Sequence, residues 1–244
     1  MRKTVLPIAA VILAVFACRA QNHKLPQPKV VTPPEAVGGP PSDAVVLFDG
    51  KDASHFVHRN GSPAKWPVNN GAIVCNTGSG DIFSKEKIGS AQIHVEFAIP
   101  NMPQQKDQAK GNSGVYLQGR YEIQVLDSYQ NPTYADGSGG ALYGQYPPLV
   151  NVSRKPEEWQ SYDIIFHAPQ CSGGGGTVTT PGTLTVLQNG VLIQDHVTIK
   201  GPTPGAVDQT VCEPGQLRLQ DHSHPDAKTT FMRFRNIWYR PLQP

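Results

Sequence analysis

The stretch TLTVLQNGVLIQDHV, residues 183–197, decides the fold class of this chain. Apolar and polar residues largely alternate on both sides of Asn189-Gly190, which is typical of β-strands with one buried face. Asn-Gly is the preferred pair for a two-residue hairpin, because both central positions of a type I′ turn require positive φ. We therefore predict an antiparallel β-hairpin at this position.

Further strand candidates run along the rest of the chain. They begin at residues 45, 72, 91, 114, 121, 161, 216 and 231, and turn residues separate nearly all of them. The 24 Gly and 23 Pro disfavour a helical bundle, because Gly costs about 1 and Pro about 3 kcal/mol inside a helix. We predict an all-β fold, a sandwich of two antiparallel sheets.

The charge balance argues against nucleic acid as a partner. The chain has 21 Lys+Arg and 19 Asp+Glu, a net charge of +2, and Arg2 and Lys3 account for two of the positive residues. A nucleic-acid-binding domain needs a basic surface that neutralises phosphates. We predict no nucleic-acid partner.

The N-terminus has the pattern of an export signal. Met1-Arg2-Lys3 precedes an apolar run from Val5 to Ala17, which is shorter than the roughly 20 residues of a membrane-spanning helix. The stretch Val15-Phe16-Ala17-Cys18 resembles a bacterial lipobox, whose Cys is lipidated and begins the mature chain; ordinary cleavage after Ala17 or Ala20 is the alternative. We predict a signal peptide over residues 1–20 and an exported bacterial protein, either periplasmic or an outer-membrane lipoprotein.

The next segment is rich in proline. Residues 21–43, QNHKLPQPKVVTPPEAVGGPPSD, lack apolar periodicity and are typical of an extended tether. No second linker follows, so we predict a single folded domain over residues 44–244. Membrane contact is expected only through the possible lipid anchor.

Export also bears on the cysteines, because thiols outside the cytoplasm tend to pair. Cys171 and Cys212 lie in polar loops, whereas Cys75 ends the apolar run Ala72-Ile73-Val74. A Cys171–Cys212 disulfide with Cys75 as a buried free thiol is the favoured arrangement, although spacing alone does not fix the pairing. The chain has no CxxC or HxxxH spacing, so no zinc site is predicted.

Alternation also groups polar side chains on one face of two strands. These positions are Arg120, Glu122 and Gln124 in RYEIQV, and Arg218, Gln220 and His222 in GQLRLQDH. A solvated outer face is the ordinary explanation for such a pattern. Arg, Glu, Gln and His together are nevertheless more reactive than the Thr, Ser and Lys of a plain surface, which motivates a site hypothesis.

Motifs along the folded part resemble a known family. In order they are LFDGKD at 47, Trp-x-Val-x-x-Gly at 66–71, GNSGVYLQGRYEIQVLDS at 111, GALYGQYPP at 140, EWQSYDI at 158, LQNGV at 187, LRLQDH at 217 and FRNIWYRPL at 234. This series resembles the 3-keto-disaccharide hydrolase family over Val45 to Leu242. The resemblance implies a concanavalin A-like jelly roll with lyase, hydratase or hydrolase activity on 3-keto-glycosides.

That chemistry makes defined demands on a site. A ketone at C3 of a glucoside acidifies the hydrogen at C2, so a base removes it and the enolate expels the C1 substituent. Water added across the resulting glycal completes a net hydrolysis. The site needs a base, donors for the enolate oxygen and an acid for the leaving oxygen. The expected substrate is an oligosaccharide or glycoside, and no cofactor is predicted.

Candidate residues follow from residue type and strand parity. Glu122 is the candidate base. Arg120 and His222 are candidates for stabilising the enolate or carrying the leaving-group proton, and Asp127 for an acid or an orienting group. The candidate substrate-binding residues are Asn112, Gln124, Tyr143 and Gln220.

Plain structural roles compete with these assignments. Arg120 and Glu122 could form a surface ion pair worth less than about 1 kcal/mol, and Asp127 could begin a turn. His222 and His224, in the sequence Asp-His-Ser-His-Pro, could ligate a metal. Two loop histidines beside one aspartate are more often hydrogen-bonded turn residues.

Two other classes of function stay open. Glu122-Ile-Gln-Val-Leu-Asp127 also resembles the E-x-D-x-x-E strand of laminarinase-like family 16 glycoside hydrolases, in which two carboxylates about 5 to 5.5 Å apart act with retention. Here Gln124 replaces the middle acid and Asp127 the last glutamate. A non-catalytic sugar-binding module is the third possibility, because jelly rolls also occur as lectins.

Overall fold

β-Strands are the main regular secondary structure of this protein. The computed structural model describes residues 31–173, 176–222 and 231–242. Within these ranges the strands are β1 (Val45–Phe48), β2 (Phe56–Val57), β3 (Val68–Asn69), β4 (Ala72–Val74), β5 (Ile82–Ile88), β6 (Ala91–Ala98), β7 (Ser113–Leu117), β8 (Tyr121–Val125), β9 (Trp159–His167), β10 (Gln170–Cys171), β11 (Val178–Thr180), β12 (Thr183–Gln188), β13 (Val191–Thr198), β14 (Gly215–Leu219) and β15 (Arg233–Pro241). The helical structure in the same ranges is limited to two 3₁₀ turns, Asp107–Ala109 and Ala135–Gly137.

Two antiparallel sheets contain nearly all of these strands. The large sheet has the order β13-β12-β9-β6-β15-β4-β3, with β1 also paired to β15, and the small sheet has the order β2-β5-β14-β7-β8. Strands distant in sequence are neighbours, such as β6 beside β15 and β14 between β5 and β7, as the crossed connections of a jelly roll require. The predicted all-β jelly-roll sandwich is confirmed.

The core lies between the inner faces of the two sheets. Because successive side chains of a strand point to opposite faces of the sheet, every second side chain points inward. The large sheet contributes Ile93, Val95, Phe97, Tyr162, Ile164 and Phe166, and the small sheet contributes Val115, Leu117, Tyr121, Ile123, Leu217 and Leu219. The Tyr162 hydroxyl also donates a hydrogen bond of 2.7 Å to the carbonyl oxygen of Gln124, which ties the two sheets together.

The predicted hairpin is present at β12 and β13. These strands pair antiparallel, with Gln188 opposite Val191. The turn residues Asn189 and Gly190 have φ values of 54° and 80°, the positive angles that the turn chemistry requires.

The sequence pattern did not predict β5, a strand of seven residues. Its sequence IFSKEKI places exposed Lys85 and Lys87 in the middle of the strand. The pairing with β14 shifts register between Gln216 and Arg218, and a bulge of this kind interrupts the regular alternation. The pattern that would reveal a half-buried strand is therefore broken at its centre.

The predicted disulfide is confirmed. Cys171 and Cys212 are bonded, which ties β10 to the segment that precedes β14. Cys75 is a buried free cysteine.

Part of the predicted proline-rich tether packs against the large sheet. The carbonyl oxygen of Gly38 accepts hydrogen bonds from Asn236 Nδ2 at 2.7 Å and Trp238 Nε1 at 3.0 Å, and Asp43 pairs with Arg240 at 2.9 Å. Ordered contacts thus begin before residue 44. The predicted signal peptide and the first residues of the tether lie outside the described residues, and none of the described helices is long and apolar enough to span a membrane.

Candidate active site

The outer face of the small sheet carries a buried polar cluster. Tyr116 of β7 lies opposite both Glu122 of β8 and Arg218 of β14, so the three side chains share the face that points away from the core. They are only 1%, 4% and 5% exposed. The segment 203–207 covers them: Thr203 Oγ1 accepts from the Glu122 N–H at 3.0 Å, and the Gly205 carbonyl accepts from Arg218 at 2.7 Å.

The Glu122 carboxylate is held by a phenol. The Tyr116 hydroxyl donates to Glu122 Oε2 at 2.7 Å. Burial raises the pKa of Glu122 to about 7; the Tyr116 hydrogen bond and the Arg218 charge oppose this rise in part, and Asp81 adds to it. A carboxyl group with a pKa near neutrality is well suited to take and return a proton.

A glycine leaves space for this carboxylate. Gly114 of β7 lies on the same outer face, opposite Gln124 of β8. A Cβ at Gly114 would overlap Glu122 Oε1 and lie 2.8 Å from Tyr116 Cε2. The absent side chain is therefore what accommodates the side chains of Glu122 and Tyr116 in their observed positions.

Arg218 is the cation next to Glu122. Its guanidinium carbon lies 4.0 Å from the centroid of the Tyr116 ring, and its Nε pairs with Asp81 Oδ2 at 2.6 Å. We call Glu122, Tyr116, Arg218 and Asp81 the Glu122 cluster. Its Asp81 end is fixed by His58, whose Nδ1 donates to the Asp81 carbonyl at 2.9 Å while Nε2 accepts from the Lys65 N–H at 2.9 Å.

A cavity of about 410 Å³ adjoins the Asp81 end of the cluster. Its volume lies within the roughly 300 to 1,000 Å³ typical of small-molecule sites. Phe83 and Val207 provide apolar wall, and His58, Arg59, Asn60 and Lys65 provide polar groups. Asp81 is the member of the Glu122 cluster that lines this cavity, and it connects the cavity to Arg218 through their ion pair.

Three amide oxygens on this side of the small sheet are buried and have no hydrogen-bond partner among the described residues. They are Asn112 Oδ1, Gln124 Oε1 and Gln220 Oε1. The amide nitrogens of the same side chains are engaged: those of Asn112 and Gln124 donate to Gln108 Oε1 at 3.3 and 3.1 Å, and that of Gln220 to the Tyr116 hydroxyl at 3.4 Å. An unsatisfied buried acceptor costs about 1 to 3 kcal/mol, so these oxygens are suited to hydroxyl donors of a ligand.

Comparison with known proteins identifies the family. A sequence model of the 3-keto-α-glucoside-1,2-lyase-like domain matches residues 43–240. The chain belongs to this family. A candidate glycosyl hydrolase from Parabacteroides distasonis, known from a crystal structure, is 44% identical with a TM-score of 0.82, and the match covers 91% of this chain and 95% of that one.

A second candidate glycosyl hydrolase from the same organism shares the fold. It is 21% identical with a TM-score of 0.57, and the match covers 82% of this chain and 94% of that one. No curated protein matches this chain.

The family resemblance read from the motifs is thus confirmed, and the structure brings several of these motifs together. In this 3-keto-α-glucoside-1,2-lyase-like domain, GNSGVYLQ supplies Gly114 and Tyr116, YEIQVLD supplies Glu122, and LRLQDH supplies Arg218. The sequence named Glu122 as a candidate but did not name Tyr116 and Arg218, which the structure places beside it. The signal for Arg218 was present in the strand parity, whereas Tyr116 was hidden in a strand with apolar residues on both sides.

Arg120, a candidate for stabilising the enolate beside Glu122, has a different environment. Its side chain is fully buried, and its Nη2 lies 2.6 Å from Asp208 and 2.9 Å from Thr210 Oγ1. Its Nη1 donates to Gln118 Oε1 and to the Glu213 carbonyl. The ion pair of Arg120 is formed with Asp208 rather than at the surface with Glu122, because the segment 203–213 folds over this strand end.

Asp127 and His222 lie at strand ends. Asp127, a candidate acid or orienting group, is buried, with Oδ2 3.2 Å from Lys110 Nζ and Oδ1 accepting from the Tyr129 N–H at 3.1 Å, as in the competing turn role. His222 is exposed after β14, and the adjacent Asp221 accepts from the N–H groups of Gly78 and Gly80. His224 lies outside the described residues.

Tyr143 borders the Glu122 strand. Its N–H donates to the Glu122 carbonyl at 3.1 Å, and its hydroxyl contacts that of Tyr134.

The described part of the chain contains no group of three or more His, Cys, Asp or Glu side chains arranged to hold a metal ion.

Proposed function

We propose that this domain is a carbohydrate-active enzyme that cleaves 3-keto-glycosides. In the proposed reaction a base removes the C2 proton, the C1 substituent is eliminated, and water added to the product gives net hydrolysis. Family membership and the similarity to a candidate glycosyl hydrolase support a glycoside substrate. The observation that carries the reaction type is the buried carboxyl group of Glu122, which accepts a hydrogen bond from Tyr116 and whose pKa is raised to about 7.

A base of this strength suits a hydrogen acidified by a neighbouring ketone. A general base is most effective when its pKa lies near the working pH. The Arg218 guanidinium lies beside Glu122 and is a permanent cation that can stabilise an enolate oxygen. The unsatisfied oxygens of Asn112, Gln124 and Gln220 would accept hydrogen bonds from sugar hydroxyls.

Double displacement by two carboxylates has less support. In the family 16 pattern Asp127 would serve as the second acid, but its carboxylate pairs with Lys110 and closes the turn at Tyr129. Asp81, the other acid of the cluster, is paired with Arg218. An elimination needs one carboxylate base, and Glu122 meets that requirement alone.

The test compares substrates and variants of the purified protein. Wild-type protein should release the aglycone from a 3-keto-glucoside and not from the plain glucoside. Glu122→Gln keeps the shape but removes the base, so kcat/KM should fall by about 10² to 10⁴-fold. Wild-type kcat/KM should rise with pH through about 7, as Glu122 loses its proton.

Glu158→Gln is the matched control, because Glu158 is exposed and outside the cluster. It should leave turnover unchanged. Release from the plain glucoside alone would replace the proposal with a direct glycoside hydrolase. Release from neither substrate, together with saturable sugar binding, would identify a non-catalytic sugar-binding module.

We further propose that the protein is an exported lipoprotein anchored through Cys18. The lipobox-like sequence Val15-Phe16-Ala17-Cys18 and the proline-rich segment that follows it support this location. Cys18→Ser should move the protein from the membrane fraction to the soluble fraction. A wild-type protein that is soluble and begins at Gln21 would contradict the proposal.

A further inference from the structure

We propose that Tyr116 is the general acid of this elimination and that Tyr116 and Glu122 form a closed proton relay between C2 and the leaving oxygen. This inference rests on the proposed function and adds a catalytic role for a residue to it. Glu122 would accept the proton from carbon, and Tyr116 would deliver one to the departing group.

The contacts of the Tyr116 hydroxyl carry the argument. Its O–H donates to Glu122 Oε2 at 2.7 Å, so the acid and the base are already hydrogen-bonded to each other. Gln220 Nε2 lies 3.4 Å from the same oxygen and can donate to it, which would stabilise a phenolate. The same hydroxyl also lies 3.4 Å from the Pro204 carbonyl, and Tyr116 is 1% exposed, so the segment 203–207 separates this proton path from bulk water.

Arg218 favours proton loss from Tyr116. Its guanidinium carbon lies 4.0 Å from the centroid of the phenol ring, and its charge remains fixed because arginine does not deprotonate in proteins. Burial and the charge of Glu122 raise the pKa of Tyr116, whereas Arg218 lowers it. When Glu122 takes up the C2 proton its charge disappears, so Tyr116 becomes a stronger acid at the stage when the leaving oxygen needs a proton.

The relay balances without a proton from solvent. The C2–H bond breaks and the proton goes to Glu122, leaving an enolate conjugated with the C3 ketone. The C1–O bond then breaks, a C1–C2 double bond forms, and the leaving oxygen takes the Tyr116 proton. The phenolate recovers its proton from Glu122, so both side chains return to their starting states.

Other described acids near the cluster are less suited to this role. Asp127 is bound by Lys110, and Asp81 is bound by Arg218. Both ring nitrogens of His58 are used in hydrogen bonds to the backbone. His222 is exposed at the end of β14 and is the alternative acid that the experiment has to separate from Tyr116.

The experiment varies the leaving group. A series of 3-keto-glucosides would run from dinitrophenyl, which leaves without protonation, to methyl, which requires it. Tyr116→Phe should lose about 10² to 10⁴-fold in kcat/KM on the methyl glycoside, the usual contribution of a general acid. On the dinitrophenyl glycoside it should lose less than tenfold, since only the hydrogen bond to the base is missing.

Tyr121→Phe is the matched control. Tyr121 belongs to the same sheet, but its fully buried side chain faces the core and so lies outside the Glu122 cluster. It should preserve the wild-type dependence on the leaving group. Retained turnover of the dinitrophenyl glycoside by Tyr116→Phe would also show that this variant folds.

Two results would overturn the relay while leaving the proposed function intact. Tyr116→Phe could slow all substrates by one common factor, which would make Tyr116 a positioning residue for Glu122. Alternatively, His222→Gln could steepen the leaving-group dependence while Tyr116→Phe does not, which would make His222 the acid. A wild-type protein inactive on every 3-keto-glycoside would overturn the proposed function, and the relay with it.

Discussion

The two sheets each carry an ionisable cluster on the outer face, and the clusters differ in how their charges are compensated. On the large sheet, His94 Nδ1 lies 2.6 Å from Asp163, and Glu96 lies 2.6 Å from Arg235 and 3.6 Å from His94 Nε2. We call these four residues the His94 cluster. Each of its acids has a cation within ion-pair distance.

The pKa values follow this difference. Burial lowers the pKa of His94 and raises that of Glu96, but hydrogen bonds and the charges of neighbouring groups outweigh burial and bring the pKa values to about 9 and about 2. Both groups are thereby held in their charged forms. For Glu122 burial dominates, and its pKa rises to about 7. A carboxylate that is costly to ionise is a better functional candidate than one that is fully paired.

Cavity size does not separate the two clusters. The cavity beside the His94 cluster, about 520 Å³, is larger than the one of about 410 Å³ beside the Glu122 cluster. The chain segment at Gly38 also lies against His94, where a Cβ on Gly38 would contact the ring at 3.4 Å. We therefore interpret the His94 cluster as structural and the Glu122 cluster as functional, on charge compensation rather than on volume.

The largest expected effect comes from filling the space beside Glu122. In Gly114→Ala the new methyl group would overlap the carboxylate, which is the movable end of a flexible side chain, and would press on the Tyr116 ring. The fold should therefore survive while the geometry of the base is lost. We expect kcat/KM on a 3-keto-glucoside to fall by about 10²-fold or more, since misplacing a catalytic group by about 1 Å can have that cost.

Gly89→Ala provides the control, because a Cβ at Gly89 meets nothing within 4 Å and its φ lies outside the left-handed region. It should keep both turnover and melting temperature. Equal turnover of the two alanine variants would mean that the position of the Glu122 carboxylate does not matter for the reaction.

The next prediction concerns the stability cost of the buried base. The folded-state pKa of Glu122, about 7, lies above its ordinary value of 4.5. Its contribution to stability is therefore fully present below pH 4.5 and is lost as the pH rises through about 7. Glu122→Gln removes this loss, so the variant should be more stable than wild type at pH 8 by on the order of 3 kcal/mol, since one pKa unit corresponds to about 1.4 kcal/mol.

Urea unfolding of both proteins at pH 4.5 and pH 8 measures this difference. The two unfolding free energies should agree within about 0.5 kcal/mol at pH 4.5, where the carboxyl group of the wild type is largely protonated. A variant that is less stable at pH 8 would indicate that the carboxylate is well paired, as in the His94 cluster.

The sequence predicted one cluster better than the other for a physical reason. Strand parity placed Glu122 and Arg218 on one face, because alternation depends only on residues within a strand. It did not predict that Arg120, at the strand end, turns to Asp208, because that contact depends on the path of the segment 203–213. The His94 cluster was missed entirely, since its residues come from β6, β9 and β15, which pair only in the folded sheet.

The same limit applies elsewhere in the fold. Ten strands and the Asn189-Gly190 turn are encoded locally and were predicted, among them the three-residue apolar run of β4. The strands β2, β3, β10 and β11 have two or three residues each and contain no such apolar run. The segment 203–207 covers Glu122 and thereby buries it. The alternation of side chains within one strand contains no information on this segment, so it could not predict the raised pKa of Glu122.

The smallest effect is expected in the His94 cluster and tests whether it is structural. Asp163→Asn keeps a hydrogen-bond acceptor for His94 but removes the charge that helps to raise its pKa. Because the folded-state pKa of His94, about 9, exceeds 6.5, its stabilising contribution is present below pH 6.5 and is lost as the pH rises through about 9. Asp163 is 39% exposed, which weakens the pair. We therefore expect the free energy of unfolding to fall by about 1 to 2 kcal/mol at pH 6 and by less than about 0.5 kcal/mol at pH 10.

Urea unfolding at the two pH values measures this change in the stability of Asp163→Asn. Turnover of a 3-keto-glucoside should stay within about twofold of wild type, well below the roughly 10²-fold expected for a catalytic group. A large drop in turnover at unchanged stability would instead make the His94 cluster a functional site, and full charge compensation would then no longer distinguish a structural cluster from a catalytic one.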